Sequence, residues 1–232
     1  MGTSGLDCRH MKEPIVELEI RGEILPTEIA SLRQRLKKLG FKPTTTTRRT
    51  SVMSFGTASA SGLGWNHKKK DEVDVRCRIT NGQAEVVTKI GRTSAANRIE
   101  VSVPVSKSDL LRFARLFGAM PLFTKVGSRI TENFVKDDVT VSLVSSIPSL
   151  LSYIEIERMT TREQETDDLK LLQAIAKDLN VTLWRSHKQF IDFCSRLTKE
   201  DDWEFAGTDA DLKRLEQDIR ATKAHLARGA AR

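Results

Sequence analysis

The stretch Val16-Glu17-Leu18-Glu19-Ile20-Arg21-Gly22-Glu23-Ile24 alternates apolar and charged residues, and Leu151-Ser152-Tyr153-Ile154-Glu155-Ile156-Glu157 repeats the device near the other end of the chain. Residues two apart in a strand share a face. Each stretch therefore aims two carboxylates one way, Glu17 with Glu19 and Glu155 with Glu157, and its aliphatic side chains the other way. Four carboxylates converging inside a fold repel one another and resist desolvation unless cations share the space. Divalent metals with oxygen ligands, facing a polyphosphate, would meet that requirement.

The same alternation recurs between these two stretches. Val75, Cys77 and Ile79 oppose Asp74, Arg76 and Arg78. Asn81-Gly82 reads as a hairpin turn, after which Glu85, Val87 and Lys89 share a face. Ile99, Val101 and Val103 oppose Arg98, Glu100 and Ser102, and Arg129 and Thr131 oppose Ile130. One such strand could belong to an ordinary sheet with a solvent-exposed face. Repetition in every strand instead predicts an α+β protein built on a closed antiparallel β-barrel, with a polar tunnel inside and helices covering the outside. About eight strands enclose a lumen wide enough for one small ligand.

Apolar stripes at helical spacing predict the covering helices over 27–39, 107–117, 165–179 and 186–197, with a charged helix over 209–228. Residues 43–72 read as irregular apart from a strand around Arg48–Phe55, followed by a mobile loop; Arg48, Arg49 and Lys68–Lys70 there read as solvated charge. The organisation expected is a disordered lead-in over 1–13, a tunnel domain over 14–200 and a helical appendage over 201–232.

At 232 residues with 39% hydrophobic and 30% charged side chains, the chain can bury a sizeable core. A net charge of +7 favours anionic partners without choosing among nucleotide, polyphosphate and RNA. Three cysteines at unrelated spacings fit neither a disulfide framework nor a zinc site, which makes a reducing, cytoplasmic setting the default. Arg112 and Arg115 interrupt the apolar run at 110–123, so it does not read as a membrane span. Cys77, opposite its arginine neighbours, is expected under a helix.

Taken in order, these segments resemble the CYTH superfamily, the triphosphate tunnel metalloenzymes that include class IV adenylyl cyclases and thiamine triphosphatases. Glu17, Glu19 and Arg21 occupy the E-x-E-x-K positions of the family's first strand, with arginine in place of lysine. Arg76 and Arg78 match the paired arginines of a middle strand, Lys89 the lysine ending the next, and Arg98 with Glu100 an R-x-E strand. Arg129 matches a later basic position, and Glu155 and Glu157 the closing E-x-E. Ser145 stands where the family usually has an aspartate, and Leu151 where it has a glycine.

The resemblance implies metal-dependent hydrolysis of a triphosphate inside the tunnel. Glu17, Glu19 and Glu100 would be catalytic, and Glu17, Glu19, Glu155 and Glu157 would hold Mg²⁺ or Mn²⁺. Arg21, Arg76, Arg78, Lys89, Arg98 and Arg129 would bind phosphate, with Glu85 also in the lumen. The expected partner is a triphosphate-bearing small molecule or an RNA 5′ end; no membrane is involved, and a homodimer is compatible. A class IV-type adenylyl cyclase and a non-catalytic module binding polyphosphate or triphosphorylated RNA are the alternatives, the latter favoured by Ser145.

Overall fold

The structure is a computed structural model that describes residues 16–57, 72–90 and 99–229. The expected lead-in, the loop after Phe55 beyond Thr57, and Arg98 lie outside the described residues. Strands β1 (Val16–Ile24), β2 (Lys42–Thr57), β3 (Glu72–Thr80), β4 (Gln83–Ile90) and β5 (Ile99–Pro104) precede β6 (Phe123–Lys136), β7 (Val139–Ile147), β8 (Ser152–Thr160) and the short β9 (Trp203–Glu204). Helices α1 (Ile29–Lys38), α2 (Lys107–Ala119), α3 (Glu165–Asp178), α4 (His187–Glu200) and α5 (Asp209–Gly229) lie between and after them.

All strand pairs are antiparallel, in the order β1-β8-β7-β6-β2-β3-β4-β5, with β9 added to β6. The protein is therefore α+β with a nine-stranded antiparallel sheet. The expected closed barrel differs in one respect: among the described residues no hydrogen-bonded ladder joins the two end strands, β1 and β5. The sheet nevertheless wraps far enough for inward side chains of β1, β2, β3, β6, β7 and β8 to line one cavity.

Two apolar clusters cover the outer face. Leu18, Val141, Ile154 and Ile156 pack against Leu32 and Leu36 of α1 and Leu172 of α3. Val52, Cys77 and Val126 pack against Leu110 and Ala114 of α2 and Leu215 and Ile219 of α5. Cys77 thus lies under helices, as its strand position implied, and burial pushes its thiol up to about 12. Each fully buried leucine contributes roughly 1.5–3 kcal/mol, so these outer clusters leave the inner face free to carry charge.

Two local features follow from backbone chemistry. Asn81 and Gly82 both take positive φ (51° and 91°), the two-residue turn that the strand twist favours. The irregular stretch expected before Arg48 is instead strand from Lys42 onward, with a register shift between Pro43 and Thr46. Four consecutive threonines suit a pleated strand, and the bulge absorbs the proline, which cannot donate to the ladder.

The segment after α4 packs into the same body. β9 pairs with Lys125 and Val126 of β6, and Phe205, Leu215 and Ile219 are buried. No helix among the described residues is long and apolar enough to cross a membrane.

Candidate functional site: a bipolar cavity

The cavity inside the curled sheet measures about 420 Å³. One wall is acidic. The antiparallel register sets Glu19 opposite Glu157 and Arg21 opposite Glu155, so alternation alone aims all four side chains inward. Oxygens of Glu19, Glu155 and Glu157 lie within 4.8 Å of one another. Burial, and then the charge of Glu155, push the Glu19 carboxyl well above its ordinary value, against the pull of Arg21. Arg21 bridges the group: its Nε donates to Glu19 Oε1 at 2.6 Å and to Glu155 Oε1 at 3.0 Å. Burial works to lower the pKa of Arg21, but Glu19 and Glu155 outweigh it and hold the guanidinium charged.

The facing wall is basic. On β3, Arg76 pairs in a fork with Asp74, Nε to Oδ1 at 2.9 Å and Nη2 to Oδ2 at 2.6 Å. Asp74 is fully buried; burial disfavours the Arg76 charge, yet Asp74 more than restores it. Arg78 donates to Glu85 of β4 at 2.6 Å. Burial raises Glu85, and hydrogen bonds from Arg78 and Ser102 outweigh that and hold it below the usual carboxylate range. On β6, Arg129 and Lys125 both reach Asp202, at 2.8 Å and 2.7 Å. Arg49 of β2 lines the cavity beside them.

A third side is aromatic. Phe190, Phe193, Cys194 and Leu197 of α4 line the cavity, joined by Trp184 from the preceding loop and Tyr153 from β8. Trp184 sits 5.4 Å from Phe190 and 5.1 Å from Phe193, centroid to centroid, and Arg21 lies over the Phe190 ring at 5.6 Å. The helix expected over 186–197 as outer cover therefore turns its apolar face inward.

Of the residues singled out in the sequence, Glu17, Glu19, Arg21, Arg76, Arg78, Arg129, Glu155 and Glu157 all border this cavity. Lys89 and Glu100 are register partners on β4 and β5, and Lys89 is also the partner of Asp74. The cavity thus gathers both E-x-E pairs, though Glu17 stands outside the carboxylate trio.

Some readings need correction. Arg48 and Arg49 lie in the strand expected there, but they are not solvated charge: Arg48 is 4% exposed and donates to Ala221 O in α5, while Arg49 faces the cavity. Ser145 does not face the cavity; it pairs with Ser152, one residue before the inward Tyr153, and their hydroxyls lie 2.9 Å apart. The inward residues on β7 are Ser142 and Val144, so this strand offers the site no carboxylate. Asp74, Lys125 and Asp202 went unnoticed as site residues. Asp74 shared its face with Arg76 and Arg78 and was legible by alternation; Asp202 carried no such signal.

No family model matches the chain, and no curated protein matches it. Solved structures do resemble it. The PH1012 protein from Pyrococcus horikoshii OT3 is 16% identical, with a TM-score of 0.55 over 73% of this chain and 95% of that one. The PH1819 protein from the same organism is 16% identical, with a TM-score of 0.55 over 78% and 99%. A candidate adenylate cyclase from Vibrio parahaemolyticus is 14% identical, with a TM-score of 0.55 over 76% and 98%. The chain has the fold of these proteins, which fits its resemblance in sequence to the CYTH superfamily.

Proposed function

We propose that this protein is a CYTH-type tunnel enzyme, its barrel closed in function around the cavity, and that it hydrolyses a triphosphate-bearing small molecule with Mg²⁺ or Mn²⁺. The observation that carries this reading is one cavity holding the trio Glu19, Glu155 and Glu157 on one wall and Arg76, Arg78, Arg129 and Lys125 on another. A carboxylate trio whose Glu19 is pushed upward by burial and then by Glu155, despite Arg21, calls for a further compensating cation. All its donors are hard oxygens, which fits Mg²⁺ or Mn²⁺. Bound there, with Glu17 beside the trio, the metal would neutralise charge on the phosphate oxygens.

The protein's own groups supply the rest. Arginine forks on β3 and β6 bind phosphate oxygens and orient the chain, with Lys89 and Arg98 as further phosphate ligands of this reading. Arg21 holds Glu19 and Glu155 in place. Water oxygen bonds to the terminal phosphorus as the bond from that phosphorus to the bridging oxygen breaks. The water proton passes to a carboxylate, in this assignment that of Glu17, which borders the cavity, with Glu100 kept as a second candidate from the sequence pattern, and the shortened phosphate leaves. A triphosphorylated RNA 5′ end carries the same anion and is a second ligand of this chemistry.

The aromatic side formed by Trp184 and Phe190 favours, as a second reading, a class IV-type adenylyl cyclase that stacks a base there. A carboxylate-free β7 favours a binding-only module. Phosphate release from tripolyphosphate, ATP and thiamine triphosphate, with Mg²⁺, Mn²⁺ or chelator, separates them. Metal-dependent release supports hydrolysis. Formation of cyclic AMP replaces it with the cyclase, and binding without release replaces it with the module.

A further inference from the structure

We propose that Arg49 is a metal-independent anchor for the end of the phosphate chain that lies away from the carboxylate trio, an inference that rests on the triphosphate reading above. Every other described cation lining the cavity is ion-paired: Arg21 with Glu19 and Glu155, Arg76 with Asp74, Arg78 with Glu85, and Arg129 and Lys125 with Asp202. Arg49 has no such partner among the described residues. Its Nε donates to Thr80 Oγ1 at 3.0 Å, and no protein acceptor among the described residues meets its two Nη groups.

The register explains why. Arg49 is the cross-strand partner of Arg129 on one side and Thr80 on the other, so it stands among cations with no strand carboxylate beside it. Burial, and then Arg78 and Arg76, disfavour its charge. A guanidinium does not deprotonate in practice. The charge therefore persists uncompensated, and a part-buried unpaired charge is costly until a counter-ion arrives. A planar fork with free Nη groups suits bidentate phosphate. Of the charges that reach Arg49 across the cavity, Arg78 and Arg76 weigh more than Glu155, so an anion bound at Arg49 meets chiefly the basic wall. Metal is needed at that acidic wall and not at Arg49.

Calorimetric titration of the full chain with sodium tripolyphosphate, in EDTA and again in Mg²⁺, tests this. The variants are Arg49→Gln and Arg49→Lys, with thermal unfolding checking that both fold. Expected is metal-free binding by the parent protein, weakened about ten- to hundredfold in Arg49→Gln and partly kept in Arg49→Lys. Arg49→Gln binding within twofold of the parent overturns the Arg49 assignment alone. A parent that binds tripolyphosphate only with Mg²⁺ also overturns it, while leaving the triphosphate reading intact. A parent that binds tripolyphosphate under neither condition overturns both.

Discussion

Asp202 holds Arg129 across 73 residues of sequence, its Oδ1 2.8 Å from the guanidinium Nη2, while its Oδ2 lies 2.7 Å from Lys125 Nζ. A single carboxylate from the segment after α4 thereby fixes two cations of the basic wall. Its side chain is wholly buried, and those of Lys125 and Arg129 are only 9% and 14% exposed. Removing one partner of such a group leaves charge uncompensated, at about 3–5 kcal/mol in a dry interior. Here the stranded cations border a polar cavity that can admit water.

Asp202→Asn is therefore expected to cost about 2 kcal/mol, lowering the unfolding midpoint by roughly 4–8 °C. Saturating tripolyphosphate is expected to restore much of that loss, because anion replaces the missing carboxylate. Thermal unfolding followed by circular dichroism, with and without the anion, checks both. Equal losses in the two conditions would mean that Lys125 and Arg129 do not meet phosphate.

Glu157→Gln removes one of three carboxylates that crowd within 4.8 Å. Losing like-charge repulsion offsets lost hydrogen bonding, so the unfolding midpoint is expected to stay within a few degrees. Metal-dependent phosphate release is expected to fall about 10²–10³-fold, the scale seen when a charge-stabilising group is removed from an active site. Full activity in this variant would take Glu157 out of the site.

The inward face of the sheet was legible because strand alternation has a period of two and leaves no freedom once the apolar face is buried. That is why Glu19, Arg21, Arg76, Arg78, Glu155 and Glu157 could be placed together from their spacing. Asp202 could not, since its role depends on the chain returning to β6 through β9 after α4. Arg49 was misread as solvated although it fell inside the expected strand, because its spacing did not tell which strands flank it; the ladder with β6 sets it opposite Arg129 on the inner face. The inward turn of α4 was hidden for a different reason. An amphipathic stripe says which face is buried and not what it is buried against.

Asp201, beside Asp202, ties the turn between β7 and β8 to the end of α4. It accepts from Ser149 N at 2.8 Å, from Ser149 Oγ at 2.6 Å and from the Ser146 hydroxyl. Partial burial raises its pKa, but the bonds from Ser146 and Ser149 outweigh this and hold the carboxyl below its ordinary 3.8. A depressed carboxyl adds stability above its unfolded value and loses it as pH falls through the folded one. Asp201→Asn is expected to cost about 1 kcal/mol at pH 7 and to lose less stability than the parent on acidification below pH 4. Chemical unfolding at pH 7 and pH 3 measures the difference, and parallel pH profiles would remove Asp201 from the acid response.

Gly127 supplies the space that Asp202 occupies. A Cβ added there would lie 3.0 Å from Asp202 Cγ and 3.1 Å from Arg129 Nη1, with Oδ1 nearer still. Asp202 is pinned between two cations and cannot easily withdraw, so Gly127→Ala is expected to cost about 1–3 kcal/mol through overpacking. Asn at position 202 loses the ionic hold and is freer to move aside. The two changes should therefore not add: in a double-mutant cycle, Gly127→Ala combined with Asp202→Asn is expected to fall short of the summed losses by at least about 0.5 kcal/mol. Strict additivity in equilibrium unfolding would mean that the methyl group is accommodated by strand movement and that Asp202 keeps its place.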